Sequence, residues 1–175
     1  LTTPMAGGPA TQTTGPKPAD ADLLEWYRAT KRGSALPLFA YNIPQFAANE
    51  IPLAVLDELS KEGTISGYKD SSPDAERLKA VVSLLKGRVA VFAGSENLFP
   101  MARALGVDGF ISGAANAFPR TVAAVFQGTP GADERLGRIK EVLKRCGGIA
   151  ALKYLLALRG FAVGSAREPV APLTD

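Results

Sequence analysis

Two side chains stand where their types and spacing could do chemistry. Lys69 lies in Ile65-Ser66-Gly67-Tyr68-Lys69-Asp70-Ser71-Ser72, at the end of a short strand-like run and just ahead of a helical segment. A lysine at the inner end of a strand loses water, and desolvation disfavours the ammonium form. A neutral amine can attack a carbonyl carbon and form an imine. Tyr41, in Leu38-Phe39-Ala40-Tyr41-Asn42-Ile43-Pro44, closes the preceding strand in the same manner. An amine and a phenol at neighbouring strand ends point to Schiff-base chemistry on a keto acid.

Composition removes several other chemistries. The 175 residues contain no histidine, so Ser-His-Asp and Cys-His catalysis are excluded, together with the commonest transition-metal ligand. Cys146 is the single cysteine; it can form neither an internal disulfide nor a thiolate metal site, and it reads as a small helical residue. The net charge of +3 is spread over scattered basic residues. That pattern favours anionic small molecules weakly and gives no reason to expect nucleic acid. No apolar run reaches the roughly 18 to 20 residues of a membrane span, and no signal peptide is visible. A cytoplasmic protein is the expectation.

The elements that must hold Lys69 and Tyr41 follow a regular rhythm. After a Gly/Pro-rich stretch at 5–21, a helix is predicted over Asp20 to Lys31, with Asp20 or Asp22 as its cap. Strands are predicted over 36–41, 64–69, 89–93 and 109–112. Each is followed by a helix, over 49–59, 74–85, 97–105 and 119–126, the first of them capped by Asn49. Two helices without strands follow, over 132–145 and 149–159, and then an extended tail. With 46% hydrophobic residues the chain can bury a substantial core. Successive strand–helix units give an α/β fold with parallel strands. The pattern does not separate a barrel from an open doubly wound sheet. No Gly-x-Gly-x-x-Gly turn supports dinucleotide binding. Polar residues at every strand end (Tyr41, Lys69, Ser95-Glu96, Ser112) favour the barrel, whose active sites gather there.

Four motifs in order carry a family resemblance: Tyr41-Asn42-Ile43-Pro44, Gly67-Tyr68-Lys69-Asp70-Ser71-Ser72, Gly94-Ser95-Glu96 and Gly109-Phe110-Ile111-Ser112-Gly113. Together they resemble the dihydrodipicolinate synthase / N-acetylneuraminate lyase family, class I pyruvate-dependent aldolases on a (β/α)8 TIM barrel. The resemblance implies that Lys69 forms the imine with the keto acid and that Tyr41 shuttles the proton. It puts the backbone carbonyl of Ile111 against the reacting centre. Ser71 and Glu96 fall at positions that contact substrate hydroxyls, and Gly94 opens that same substrate-binding motif. No cofactor and no metal are implied, since the lysine supplies the electrophilic catalysis. A homodimer or homotetramer is expected, with the apolar helix Ile149 to Leu158 either at the interface or covering the barrel.

The same resemblance marks departures. Thr2-Thr3-Pro4 looks like the end of the fourth barrel strand, so the chain carries about strands four to eight plus C-terminal helices. On that reading residues 1–130 are the C-terminal part of a barrel, with an insertion at 5–21, and residues 131–175 are a helical extension of the same domain. The chain begins with Leu1, and an N-terminal segment absent from this sequence is the expectation. Phe46 occupies the position where the synthases carry a carboxylate-binding arginine, and Met5-Ala6 replace tyrosines. Phe46 argues against the synthase reaction, Met5-Ala6 remove part of the family's relayed proton path, and Gly94-Ser95-Glu96 favours cleavage of a 2-keto-3-deoxy sugar acid or related hydroxy-keto acid. A dihydrodipicolinate synthase-like condensation and a non-catalytic keto-acid-binding homologue are the alternatives.

Overall fold

The computed structural model describes residues 17–168 together with Val170, Ala171 and Leu173. The fourth-strand reading of Thr2-Thr3-Pro4, Met5-Ala6 and most of the 5–21 insertion lie outside these residues. The chain divides into two compact units at the Phe110–Ile111 bond.

The first unit opens with α1 (Asp20–Arg32), which buries Leu23 and Tyr27. Its N-cap is Ala19 rather than Asp20 or Asp22. Asp20 is already helical, and Asp22 reaches back to accept a hydrogen bond from the Ala19 N–H at 3.3 Å. The carboxylate therefore serves from the third helical position, as in half of a capping box.

Four short strands follow: β1 (Phe39–Asn42), β2 (Gly67–Asp70), β3 (Ala90–Ala93) and β4 (Gly109–Phe110). They pair in parallel in the order β1-β2-β3-β4, the order expected when each helix carries the chain one place along the sheet. The connecting helices are α2 (Pro44–Ala47), α3 (Leu53–Lys61), α4 (Ala75–Leu85) and α5 (Phe99–Leu105), the last preceded by a 3₁₀ turn at Glu96–Leu98. This is an α/β arrangement with a four-stranded parallel sheet flanked by helices. Among the described residues β1 and β4 are its two edges.

The apolar positions of α3 and α4 explain the core. Val55, Leu56 and Leu59 from α3, and Leu78, Val81, Val82 and Leu85 from α4, are buried, as are Ile51 and Ile65 beside them. Each such side chain contributes roughly 1.5–3 kcal/mol on burial. Phe99 at the start of α5 stacks on Phe110 of β4, with ring centroids 3.9 Å apart.

Three expectations are corrected here. Asn49 does not cap α3; Pro52 stands at the N-cap, because Pro44–Ala47 forms a helical turn of its own and Ala48 reverses the chain at φ 58°. The fourth strand ends at Phe110 rather than Ser112, since its partner β3 ends at Ala93, opposite Phe110, and supplies no further ladder. The first strand is displaced toward its polar end and includes Asn42, paired with Asp70.

The second unit is helical. A 3₁₀ turn at Ala114–Asn116 leads into α6 (Pro119–Gln127), α7 (Ala132–Arg145) and α8 (Ile149–Leu158). Thr121, Val122, Val125, Leu136, Leu143, Ala150 and Ala151 form its buried layer. Arg159 closes it, donating to the Ala117 carbonyl and lying 5.1 Å from the centroid of the Phe118 ring. Cys146 is exposed at the C-cap of α7, one place outside the helix.

Candidate active site

Strand alternation sorts the site. Along β1 and β2 the side chains of Ala40, Asn42, Tyr68 and Asp70 are buried, whereas Phe39, Tyr41 and Lys69 are only partly covered. Tyr41 and Lys69 are Cα partners in the ladder, so both project from the same face. Lys69 Nζ lies 4.0 Å from the centroid of the Tyr41 ring. The amine therefore sits over the face of the phenol ring.

Ser71 completes the group. Its hydroxyl donates to Tyr41 Oη at 3.2 Å, and its backbone N–H donates to the Asn42 carbonyl at 2.9 Å. Gln45, in the α2 turn, donates from Nε2 to the Ser71 carbonyl at 3.1 Å. Three polar groups (an amine, a phenol and a hydroxyl) therefore stand together at the C-terminal ends of adjacent parallel strands, where α/β folds place their chemistry.

Gly94 belongs to this group for a steric reason. It follows β3, and its N–H donates to the Asp70 carbonyl at 2.6 Å. A Cβ on Gly94 would stand 2.6 Å from Lys69 Cε and closer still to Ser71 Oγ. The bare α-carbon thus leaves room for the lysine stem and the Ser71 hydroxyl where they stand. Glu96 lies two residues further on, half-buried at the start of the 3₁₀ turn. Ile111 is the first residue of the second unit and is 44% exposed. Of the residues singled out in the sequence, Lys69, Tyr41, Ser71 and Gly94 are thus brought together.

The opposite face holds residues that the sequence reading passed over. Asp70 and Asn42 are 2% and 0% exposed, on the helix-facing side of the sheet. The Asp70 carboxylate accepts from Tyr68 Oη at 2.7 Å, Ser72 N at 2.7 Å and Arg77 Nε at 3.2 Å. Asn42 Nδ2 completes the set at 3.4 Å, and Asn42 Oδ1 accepts from Ile51 N at 3.0 Å. Burial, with the Asp70 carboxylate second, holds the Tyr68 phenol well above its ordinary pKa. The signal available in the sequence was the alternation itself. With Lys69 and Tyr41 on one face, their neighbours Asp70 and Asn42 had to enter the core, where polar groups persist only when bonded.

The comparisons with known proteins agree with this frame. The model of the dihydrodipicolinate synthetase family matches residues 16–175. This chain belongs to that family. An uncharacterized DapA-like lyase of Halobacterium salinarum is 31% identical over 160 residues, covering 87% of this chain and 52% of that protein. The crystal structure of dihydrodipicolinate synthase from Aquifex aeolicus superposes with a TM-score of 0.79 at 26% identity, over 90% of this chain and 57% of that one. The chloride-inhibited dihydrodipicolinate synthase from Acinetobacter baumannii, complexed with pyruvate, gives a TM-score of 0.78 at 26% identity, over 91% of this chain and 57% of that one. The chain therefore spans a little over half the length of these three relatives.

Proposed function

We propose that this chain supplies the Schiff-base lysine and the proton-transferring tyrosine of a class I lyase that uses pyruvate, on a (β/α)8 barrel of which these residues form the C-terminal part. The observation that carries this reading is the placement of Lys69 Nζ 4.0 Å from the Tyr41 ring, with Ser71 bonded to the Tyr41 hydroxyl. The neutral Lys69 amine attacks C2 of the keto acid, and the carbinolamine loses water to give the iminium. Loss of a proton from C3 gives an enamine, whose C3 attacks an aldehyde carbonyl; the reverse sequence breaks that bond. Tyr41 takes up and returns the protons, a role that suits a phenol at a strand end. Ser71, Glu96 and the Ile111 carbonyl are assigned to the substrate.

The similarity to the dihydrodipicolinate synthases from Aquifex aeolicus and Acinetobacter baumannii supports a synthase-type condensation, and this is the favoured direction. One observation favours cleavage of a hydroxy-keto acid instead. Phe46, in the α2 turn beside the site, is 72% exposed, and an apolar ring offers no charged partner to a carboxylate on the aldehyde. A homodimer or homotetramer, resident in the cytoplasm, completes the reading. The exposed apolar side chains of Val142, Ile149, Leu158 and Phe161 in the helical unit support association between copies. Among the described residues no helix is long and apolar enough to cross a membrane.

The test is an intact mass spectrum of the natural full-length protein after incubation with pyruvate and borohydride, with peptide mapping. A reduced pyruvyl adduct on Lys69, absent from Lys69→Ala, is the expected result. Pyruvate binding that survives in Lys69→Ala, with no adduct on the unsubstituted protein, would establish the non-catalytic homologue instead.

A further inference from the structure

The buried pair Asn42–Asp70 lies directly behind the reactive pair Tyr41–Lys69, one residue further along the same two strands. Its bonds converge on the ends of three strands. Asn42 gives its carbonyl to Ser71 N at 2.9 Å, and Asp70 gives its own to Gly94 N at 2.6 Å. The Asp70 side chain turns the chain at Ser72 N, and the Asn42 side chain ties β1 to Ile51 ahead of α3. Arg77 Nη2 anchors the same point from α4, donating to the Ile51 carbonyl at 2.7 Å. The backbone of Ser71 and Gly94, the two residues that crowd Lys69 and Tyr41, is therefore tied to the backbone of this pair.

We propose that Asn42 and Asp70 are positioning residues for the Schiff-base chemistry: they fix the register and height of Lys69 against Tyr41 from the far side of the sheet. The inference rests on the imine reading of Lys69. The direct Asn42–Asp70 contact is long at 3.4 Å, so the pair does not act by that bond alone. It acts because each partner is independently held by shorter bonds, to Ile51 N on one side and to Ser72 N and Tyr68 Oη on the other. An overdetermined polar cluster of this kind has one arrangement, whereas an apolar pair would tolerate sliding of β1 against β2. The consequence for chemistry is large, since misplacing a reacting group by about 1 Å costs on the order of 10²-fold in rate.

A purely structural role predicts something else, namely loss of stability without loss of rate in the folded molecule. Two variants of the full-length protein separate the two. Asn42→Ala removes the tie between β1 and Ile51. Val82→Ala removes buried methyl groups from α4 while touching none of the bonds to Asn42 or Asp70, and serves as the stability control. The rate of borohydride-trapped adduct formation on Lys69, and kcat against KM for pyruvate, are measured well below both melting temperatures. Asn42→Ala is expected to form adduct about tenfold or more slowly, with the loss in kcat rather than KM. Val82→Ala is expected to melt lower yet to trap at the unsubstituted rate. Asn42→Ser, which keeps an oxygen at this position, covers the case in which the alanine variant does not fold; it is expected to show a smaller loss of the same sign. Trapping by the folded Asn42 variant within twofold of the unsubstituted protein would overturn the inference while leaving the imine reading intact. Absence of an adduct on the unsubstituted protein would remove both.

Discussion

Lys69 runs across the bare α-carbon of Gly94, so closely that a methyl group there would stand 2.6 Å from Lys69 Cε. Both the lysine and Ser71 Oγ would have to shift to make room, and the Asp70 backbone carbonyl, 3.1 Å from the same point, limits where the new methyl can go. Gly94→Ala is therefore expected to cut borohydride-trapped adduct on Lys69 by on the order of 10²-fold. The accompanying loss of stability should be about 1–3 kcal/mol, as for overpacking in general. Peptide mapping after trapping and a thermal melt together check both parts. An alanine variant that traps pyruvate as fast as the glycine protein would show that the lysine has another route.

Tyr41→Phe keeps the ring under Lys69 and removes only the hydroxyl that Ser71 addresses. Imine formation should survive while proton transfer fails. Adduct yield with pyruvate is expected to stay within a few-fold of the unsubstituted protein, and turnover to fall by about 10²–10⁴, the range for loss of a general acid–base group. Equal losses in trapping and turnover would assign Tyr41 to holding the lysine rather than to moving protons.

Much of this arrangement was legible in the residues. Helix 132–145 has the expected bounds, and Lys69 and Tyr41 stand on paired strands as their neighbours implied. Periodicity and turn residues carry that information locally. What could not be read was decided across the sheet. Asn49 has the right side chain for a cap, but Ala48 adopts a left-handed turn that assigns Asn49 to the link before α3. Ile111 and Ser112 have strand-like composition, yet the ladder stops with Ala93 of the neighbouring strand. Asn42 and Asp70 look like polar strand ends until the alternation turns both into the core, where Asp70 accepts from Arg77 of α4 and Asn42 accepts from Ile51 N.

The cap on α4 offers a test of how firmly the end of β2 is held. Asp74 Oδ1 accepts from Glu76 N at 2.9 Å and from Arg77 N at 3.0 Å, satisfying two of the helix's free amides. Asp74→Ala should cost about 1 kcal/mol, within a range of roughly 0.5–2. Asp74→Asn, which keeps the accepting oxygen, should recover most of it. Urea unfolding midpoints of the three proteins decide the matter. An equal loss in both variants would mean that the carboxylate acts through charge at the helix N-terminus rather than through the hydrogen bonds.

Acid sensitivity should come from the surface ion pairs around helix α3. Arg28 donates to Glu58 and Glu62, and its hydrogen bond is the main reason the Glu62 carboxyl sits below the usual carboxylate range. Lys61 first, then Arg88, hold Asp57 down in the same way. A folded pKa below the unfolded one adds stability at pH values above the unfolded carboxylate range of about 4, and that stability is lost as the pH falls through the folded value. Arg28→Met should therefore be less stable than the unsubstituted protein near pH 7. The two should converge as the carboxylates protonate, in a range beginning near pH 4 and extending below it. Added salt should shrink the neutral-pH gap, because exposed pairs are screened. Urea midpoints measured at neutral and acid pH, each at low and high salt, give the comparison. A gap that stays constant with pH would show that Arg28 acts by packing its aliphatic stem rather than by its charge.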